Sequence, residues 1–168
     1  MQNCISVTND LFYLGGNDRR IALFESAFPV PRGVSYNSYL LRDEKTVLFD
    51  TVDEAISGLF FENLSYALDG RALDYVVVHH MEPDHSATLQ RVLERYPAVT
   101  VVTTQKAAVM MKNYFGFSGS VMLVKEGDTL PVGAHTLQFV LAPMVHWPEV
   151  MMTYVMIFLK KIRGKDML

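Results

Sequence analysis

Tyr75-Val76-Val77-Val78-His79-His80-Met81-Glu82-Pro83-Asp84-His85 is the stretch whose reading decides this chain. Its first four residues form a continuous apolar run that suits a strand buried on both faces, as in a parallel sheet. The seven that follow place imidazoles and carboxylates directly at the strand's end, where α/β folds build their sites. On extended backbone alternate side chains share a side, so His80, Glu82 and Asp84 are expected together and His79 on the other side in a structural role. Pro83 is expected to keep the stretch from coiling into a helix. A turn at Asp84-His85-Ser86 then re-aims His85. Two imidazoles and two carboxylates thereby converge from one short segment. The plain alternative is a polar loop with a helix cap at Asp84. Such a loop has no need of imidazoles.

Outward from this stretch, strands alternate with helices. Short strands are expected at Cys4–Thr8 and Leu11–Leu14, with a turn cluster at Gly15-Gly16-Asn17-Asp18. Val34–Leu41 and Thr46–Phe49 are strand-like and joined by Arg42-Asp43-Glu44-Lys45, which predicts a hairpin. Asp53–Leu68 carries Ile56, Leu59, Phe60, Leu64 and Ala67 at helical spacing, closed by Gly70. Ala87–Tyr96 repeats that pattern until Pro97. Val99–Val102 is a second buried strand, Gln105–Tyr114 a helix and Val121–Val124 a strand. Gly127-Asp128 is expected to turn the chain into another hairpin, returning along Leu137–Leu141. The pattern is α/β with parallel and antiparallel pairing.

The chain has 168 residues, half of them hydrophobic and a fifth charged, a globular composition able to bury a core. A net charge of -3 gives no basic footprint for nucleic acid. Cys4 is the only cysteine, so neither an internal disulfide nor a thiolate metal cage can form, and any metal must be held by imidazole and carboxylate. No apolar run approaches the roughly 20 residues that span a bilayer, and no targeting segment is visible, so a cytoplasmic protein away from membranes is expected.

Other residues carry weaker signals. His146, in Leu141-Ala142-Pro143-Met144-Val145-His146-Trp147-Pro148-Glu149, also follows a predicted strand. Taken alone, a single His beside a Trp is more often structural than a ligand. His135, after Gly133, is expected to be solvated. Met110-Met111 and Met151-Met152 are expected as core filler. Asp50 is either a turn residue or a partner of a metal ligand. Iron, manganese and zinc all suit such imidazole and carboxylate donors.

Taken together, these stretches resemble the flavodiiron proteins, or A-type flavoproteins, in their metallo-β-lactamase-like domain. The likeness rests on Gly33-Val34-Ser35-Tyr36-Asn37-Ser38-Tyr39-Leu40, Val47-Leu48-Phe49-Asp50-Thr51-Val52, His80-Met81-Glu82-Pro83-Asp84-His85-Ser86, Gly127-Asp128-Thr129-Leu130 and the run from Ala142 to Tyr154. It implies the N-terminal portion of an αββα sandwich, with residues 1–154 as an incomplete di-iron domain and 155–168 as an atypical tail. It also implies that His80, Glu82 and His146 bind one iron, and Asp84 and His85 the second. The implied activity is reduction of O2 to water or of NO to N2O. Electrons are expected from a donor such as rubredoxin or a flavodoxin-like domain, the FMN being expected only from that domain, which is absent here. A Glu in this motif, where zinc hydrolases of the same fold usually carry His, weighs against the alternative of a di-zinc hydrolase. A non-enzymatic di-iron oxygen sensor is a further alternative.

The tail departs from the family pattern. Asp166 stands near the position expected of a bridging carboxylate, but its neighbours differ and it is read as part of a solvated tail. The family's last ligating His and the second half of the sandwich are missing. Half a sandwich leaves apolar surface and strand edges uncovered, so poor solubility, self-association as a homo-oligomer, or completion by another chain is expected.

Overall fold

The structure is a computed structural model that describes residues 4–24 and 26–157. Asp166 and most of the expected tail lie outside the described residues. In chain order the elements are β1 (Ile5–Ser6), β2 (Leu11–Tyr13), β3 (Gly16–Asp18), β4 (Leu23–Phe24), β5 (Phe28–Pro29), β6 (Val34–Tyr36), β7 (Tyr39–Arg42) and β8 (Thr46–Phe49). They continue with a 3-10 turn at Glu54–Ile56, α1 (Ser57–Leu68), β9 (Tyr75–Val77), α2 (Pro83–Ser86), α3 (Leu89–Arg95), β10 (Thr100–Thr103) and α4 (Gln105–Phe115). The last are β11 (Val121–Leu123), β12 (Thr129–Pro131), β13 (His135–Leu141) and β14 (Met151–Ile157).

Seven strands form the main sheet in the order β1-β2-β7-β8-β9-β10-β11. Its β1 to β8 part is antiparallel, including the expected β7–β8 hairpin, while β8, β9, β10 and β11 run parallel. β8, β9 and β10 are mostly apolar because both of their faces are covered, whereas β11 at the sheet edge leaves Val121 and Leu123 exposed. Leu48, Val76 and Val101 pack against Phe60 and Leu64 of α1, Leu89 and Val92 of α3 and Met111 of α4 in one core. Their chain neighbours Val47, Val77 and Val102 face the second sheet, where Leu137, Phe139 and Met151 complete another core. That sheet has the order β12-β13-β14. The layers are therefore helices, mixed sheet and second sheet, the α/β architecture of the metallo-β-lactamase class. Each fully buried aliphatic or aromatic side chain contributes roughly 1.5–3 kcal/mol, so the two cores together set the relation of the layers.

Several expectations change. Pro83 opens a helical turn instead of preventing one. Glu82, just before the proline, is extended (φ -64°, ψ 147°), and Pro83 takes the first helical position of α2, where its missing N–H costs nothing. Asp84 therefore lies inside that turn and is not its cap. The hairpin expected after Gly127-Asp128 forms from β12 and β13, with its turn between Pro131 and His135. His135 thus opens β13 and is 5% exposed, not solvated, because Asp43 receives it. Met151 is buried as expected, but Met152 points outward, 55% exposed. β14 also continues past Tyr154 to Ile157, so the strand extends into the segment read as tail.

Candidate metal centre

The site forms where β9 ends. Val78 N donates to Val102 O at 3.0 Å, keeping the chain in the sheet just before the histidines. Beyond it, His80 and Glu82 lie on one side of extended backbone, and His80 Nε2 is 2.8 Å from Glu82 Oε2. α2 then brings Asp84 and His85 round, with His85 Nε2 3.5 Å from Asp84 Oδ2. Ser86 Oγ fastens this corner by donating to the carbonyls of Met81 and Glu82 at 2.8 and 3.0 Å. His146 arrives from the loop between β13 and β14. Its Nε2 sits 2.8 Å from the same Glu82 Oε2, although its side chain is 66% exposed.

His80, Glu82 and His146 place three donor atoms within 4.8 Å of one another, a set that could hold a metal ion. The ring of His80 lies 5.4 Å from that of His85 and 5.1 Å from that of His146. All five residues singled out in the sequence, His80, Glu82, Asp84, His85 and His146, line one cleft of about 660 Å³. Phe24, Val145, Val150 and Met152 supply its apolar walls.

A ring of buried carboxylates holds the imidazoles from behind. Asp50 Oδ2 is 3.0 Å from His79 Nδ1 and 3.0 Å from His85 Nδ1, while Asp50 Oδ1 accepts the His79 N–H at 2.7 Å. Burial pushes the Asp50 carboxyl up, but the two imidazoles outweigh it and hold the group well below the usual carboxylate range. His85 moves upward: burial disfavours its charged form, and the bond to Asp50 overcomes that penalty. Burial raises Asp84, whose Oδ1 is buried with no hydrogen-bond partner among the described residues. His79 is occupied by Asp50 and by Thr153 Oγ1 at 2.7 Å, and its ring stacks on Phe49.

Glu149 is the partner the sequence reading missed. Its Oε1 is 2.7 Å from His80 Nδ1 and accepts Met81 N–H at 3.1 Å. The only local signal is an acidic residue three positions after His146 in a proline-stiffened loop. Asp50 turns the chain with φ +53° and holds the ring of His85.

A sandwich-type α/β scaffold with His and Glu side chains gathered at the strand ends defines a metallo-β-lactamase-like protein with a cleft that could hold a metal ion. The chain belongs to the ODP family beta lactamase group, whose profile matches residues 34–158. It is 38% identical over 153 residues to the anaerobic nitric oxide reductase flavorubredoxin of Vibrio vulnificus, covering 89% of this chain and 31% of that protein. It is 36% identical over 157 residues to a nitric oxide reductase of Moorella thermoacetica, covering 92% of this chain and 39% of that one. The crystallised rubredoxin oxygen:oxidoreductase of Desulfovibrio gigas superposes with a TM-score of 0.85 at 30% identity, over 90% of this chain and 38% of its own. The chain thus spans about a third of the length of these relatives. The likeness to flavodiiron proteins seen in the sequence is one of fold and of family.

Proposed function

We propose that this chain forms the metal-binding part of a flavodiiron oxidoreductase that reduces O2 to water or NO to N2O. The observation that carries the reading is the division of the donors into two adjoining sets. His80, Glu82 and His146 would hold one iron, and Asp84 and His85 would contribute to a second. Asp84 Oδ1, buried without a hydrogen-bond partner among the described residues, supports this, since such a carboxylate oxygen is costly unless a cation or water satisfies it. The donors are all nitrogen and oxygen, which suits ferrous iron. When bound, two such irons supply redox-active centres with open positions side by side for a diatomic or a pair of NO molecules.

The protein's own groups do the rest. Asp50 accepts from Nδ1 of His85 and so directs its other nitrogen toward Asp84. Glu82 is 5% exposed at the floor of the cleft, and Phe24, Val145 and Met152 surround the opening with apolar surface. Walls of this kind favour a small uncharged substrate over a polar ester. Reduction of O2 to water takes up four electrons and four protons, and coupling of two NO to N2O and water takes up two of each. An electron donor is required in either case, and a flavodoxin-like domain carrying FMN, or a rubredoxin, fits the names borne by the relatives.

The test is metal content after anaerobic reconstitution with ferrous iron. Roughly one to two irons per chain are expected in the wild type, with loss from the His80/Glu82/His146 set in His80→Ala. A wild-type protein that retains no iron sinks the reading. Preferential zinc binding with thioester turnover moves it to the hydrolase alternative.

A further inference from the structure

We infer that Glu149 is the positioning residue for His80, fixing which ring nitrogen faces the metal and seating the His146 loop in the same contact. The inference rests on the metal-binding reading above. Glu149 lies in the chain 69 residues from His80, yet its side chain is fully buried against it, with Oε1 2.7 Å from Nδ1. The same oxygen accepts the backbone N–H of Met81 at 3.1 Å. The main chain of Glu149 is held as well, since Thr104 Oγ1, at the N-terminus of α4, donates to Glu149 O at 3.3 Å. Three separate segments therefore meet at Glu149: the end of β9 at its carboxylate, the start of α4 at its main-chain carbonyl, and the loop before β14 that carries it.

An imidazole can offer a metal only one nitrogen at a time, and the hydrogen bond at the other nitrogen decides which. With Nδ1 engaged by Glu149, Nε2 is the atom left toward Glu82 and His146. A carboxylate acceptor also makes the ring a stronger donor. His146 itself is mostly exposed and makes its contact through Glu82. What fixes its loop is three residues further on, where Glu149 is buried and bonded to His80. Removing Glu149 therefore acts on two ligands at once. A carboxylate that supported only the fold, and neither His80 nor the His146 loop, would lower the melting temperature without changing the metal affinity of the folded protein.

The probe is cobalt(II) alone, titrated into metal-free wild type, Glu149→Gln and Glu149→Ala, and followed by its visible bands. Thermal melting of each metal-free protein runs in parallel. Gln keeps an acceptor in place and is expected to bind within about fivefold of wild type with an unchanged band position. Ala is expected to bind about 10–100-fold more weakly, with shifted bands, at temperatures where it is folded. Glu149→Met fills the space without an acceptor and replaces Ala should that variant not fold. Binding by the acceptor-less variant within about twofold of wild type overturns the inference and leaves the metal reading intact. A wild type that takes up no cobalt overturns both.

Discussion

Asp50 concentrates several demands on one side chain. Its φ of +53° is left-handed, a conformation that Asp tolerates better than most non-glycine residues. Its backbone carbonyl accepts Ser38 Oγ at 2.9 Å and its N–H reaches Val77 O at 2.9 Å, so the turn is pinned on both sides. From that fixed position the carboxylate serves His79 and His85. Asp50→Ala would leave two part-buried imidazole N–H groups and one backbone N–H without their acceptor. We expect a loss of about 2–4 kcal/mol in stability and a 10–100-fold weaker second metal, with Asp50→Asn in between. Urea unfolding and metal titration of the three proteins check this, and an alanine variant that unfolds like wild type contradicts it. At this scale the sequence disclosed the side chains gathered in the cleft better than their supports. The donors announce themselves because four of them crowd into six residues. Glu149 and Asp43 were not legible because each acts on a histidine 69 or 92 positions away, and no local pattern encodes such a pairing. His135 was misjudged for the same reason.

Among the elements, the strands of the main sheet were the most legible. β8, β9 and β10 are short, β-branched and apolar on both faces, and only a doubly covered strand accounts for that. α2 was not legible as a helix, since Pro83 speaks for an extended chain before it and a helical start at it, and tertiary contacts choose between the two. β14 presents a different case. It pairs with β13 from Leu141↔Met151 to His135↔Ile157, and among the described residues no strand covers its other edge. Met152, Tyr154 and Ile157 are 55, 65 and 63% exposed along it. An open edge with an apolar face is a template for pairing with another chain. The expected homo-oligomer would therefore form through this strand. Sedimentation velocity on the wild type should show concentration-dependent association, and Met152→Lys/Tyr154→Lys should abolish it while changing stability by no more than about 0.5 kcal/mol. A wild type that stays monomeric at high concentration rules this out.

For the whole molecule the question is what keeps the second sheet in place beside the main one. Apolar packing of Val47, Val77 and Val102 on Leu137 and Phe139 supplies most of the attraction, but it has little directional preference. Direction comes from a polar clamp at the end of the sandwich away from the cleft. There Asp43, in the β7–β8 turn, accepts both the backbone N–H and Nδ1 of His135 at 2.7 Å each, and Lys45 N donates to Val132 O at 2.9 Å. His135 Nε2 also lies 3.5 Å from Asp10 Oδ2. Gly133 makes the approach feasible: its φ is +139°, and a Cβ there would fall 2.1 Å from Asp43 Oδ1. Burial raises the Asp43 carboxyl, yet the His135 ring and the surrounding N–H donors outweigh it and bring its pKa down from 3.8 to about 2. A carboxylate depressed in the folded state stabilises that state above its unfolded pKa, and the contribution disappears as pH falls through the folded value. The clamp is thus fully effective above about pH 4 and is lost between about pH 4 and pH 2. Its worth is on the order of 1–2 kcal/mol once solvent screening at its partly open side is allowed for. Urea unfolding of wild type and Asp43→Asn should differ by that amount at pH 7 and converge near pH 2. Two curves that stay parallel across the whole range would show that the carboxylate charge is not what links the sheets, and would leave the register of the sandwich to its apolar packing alone.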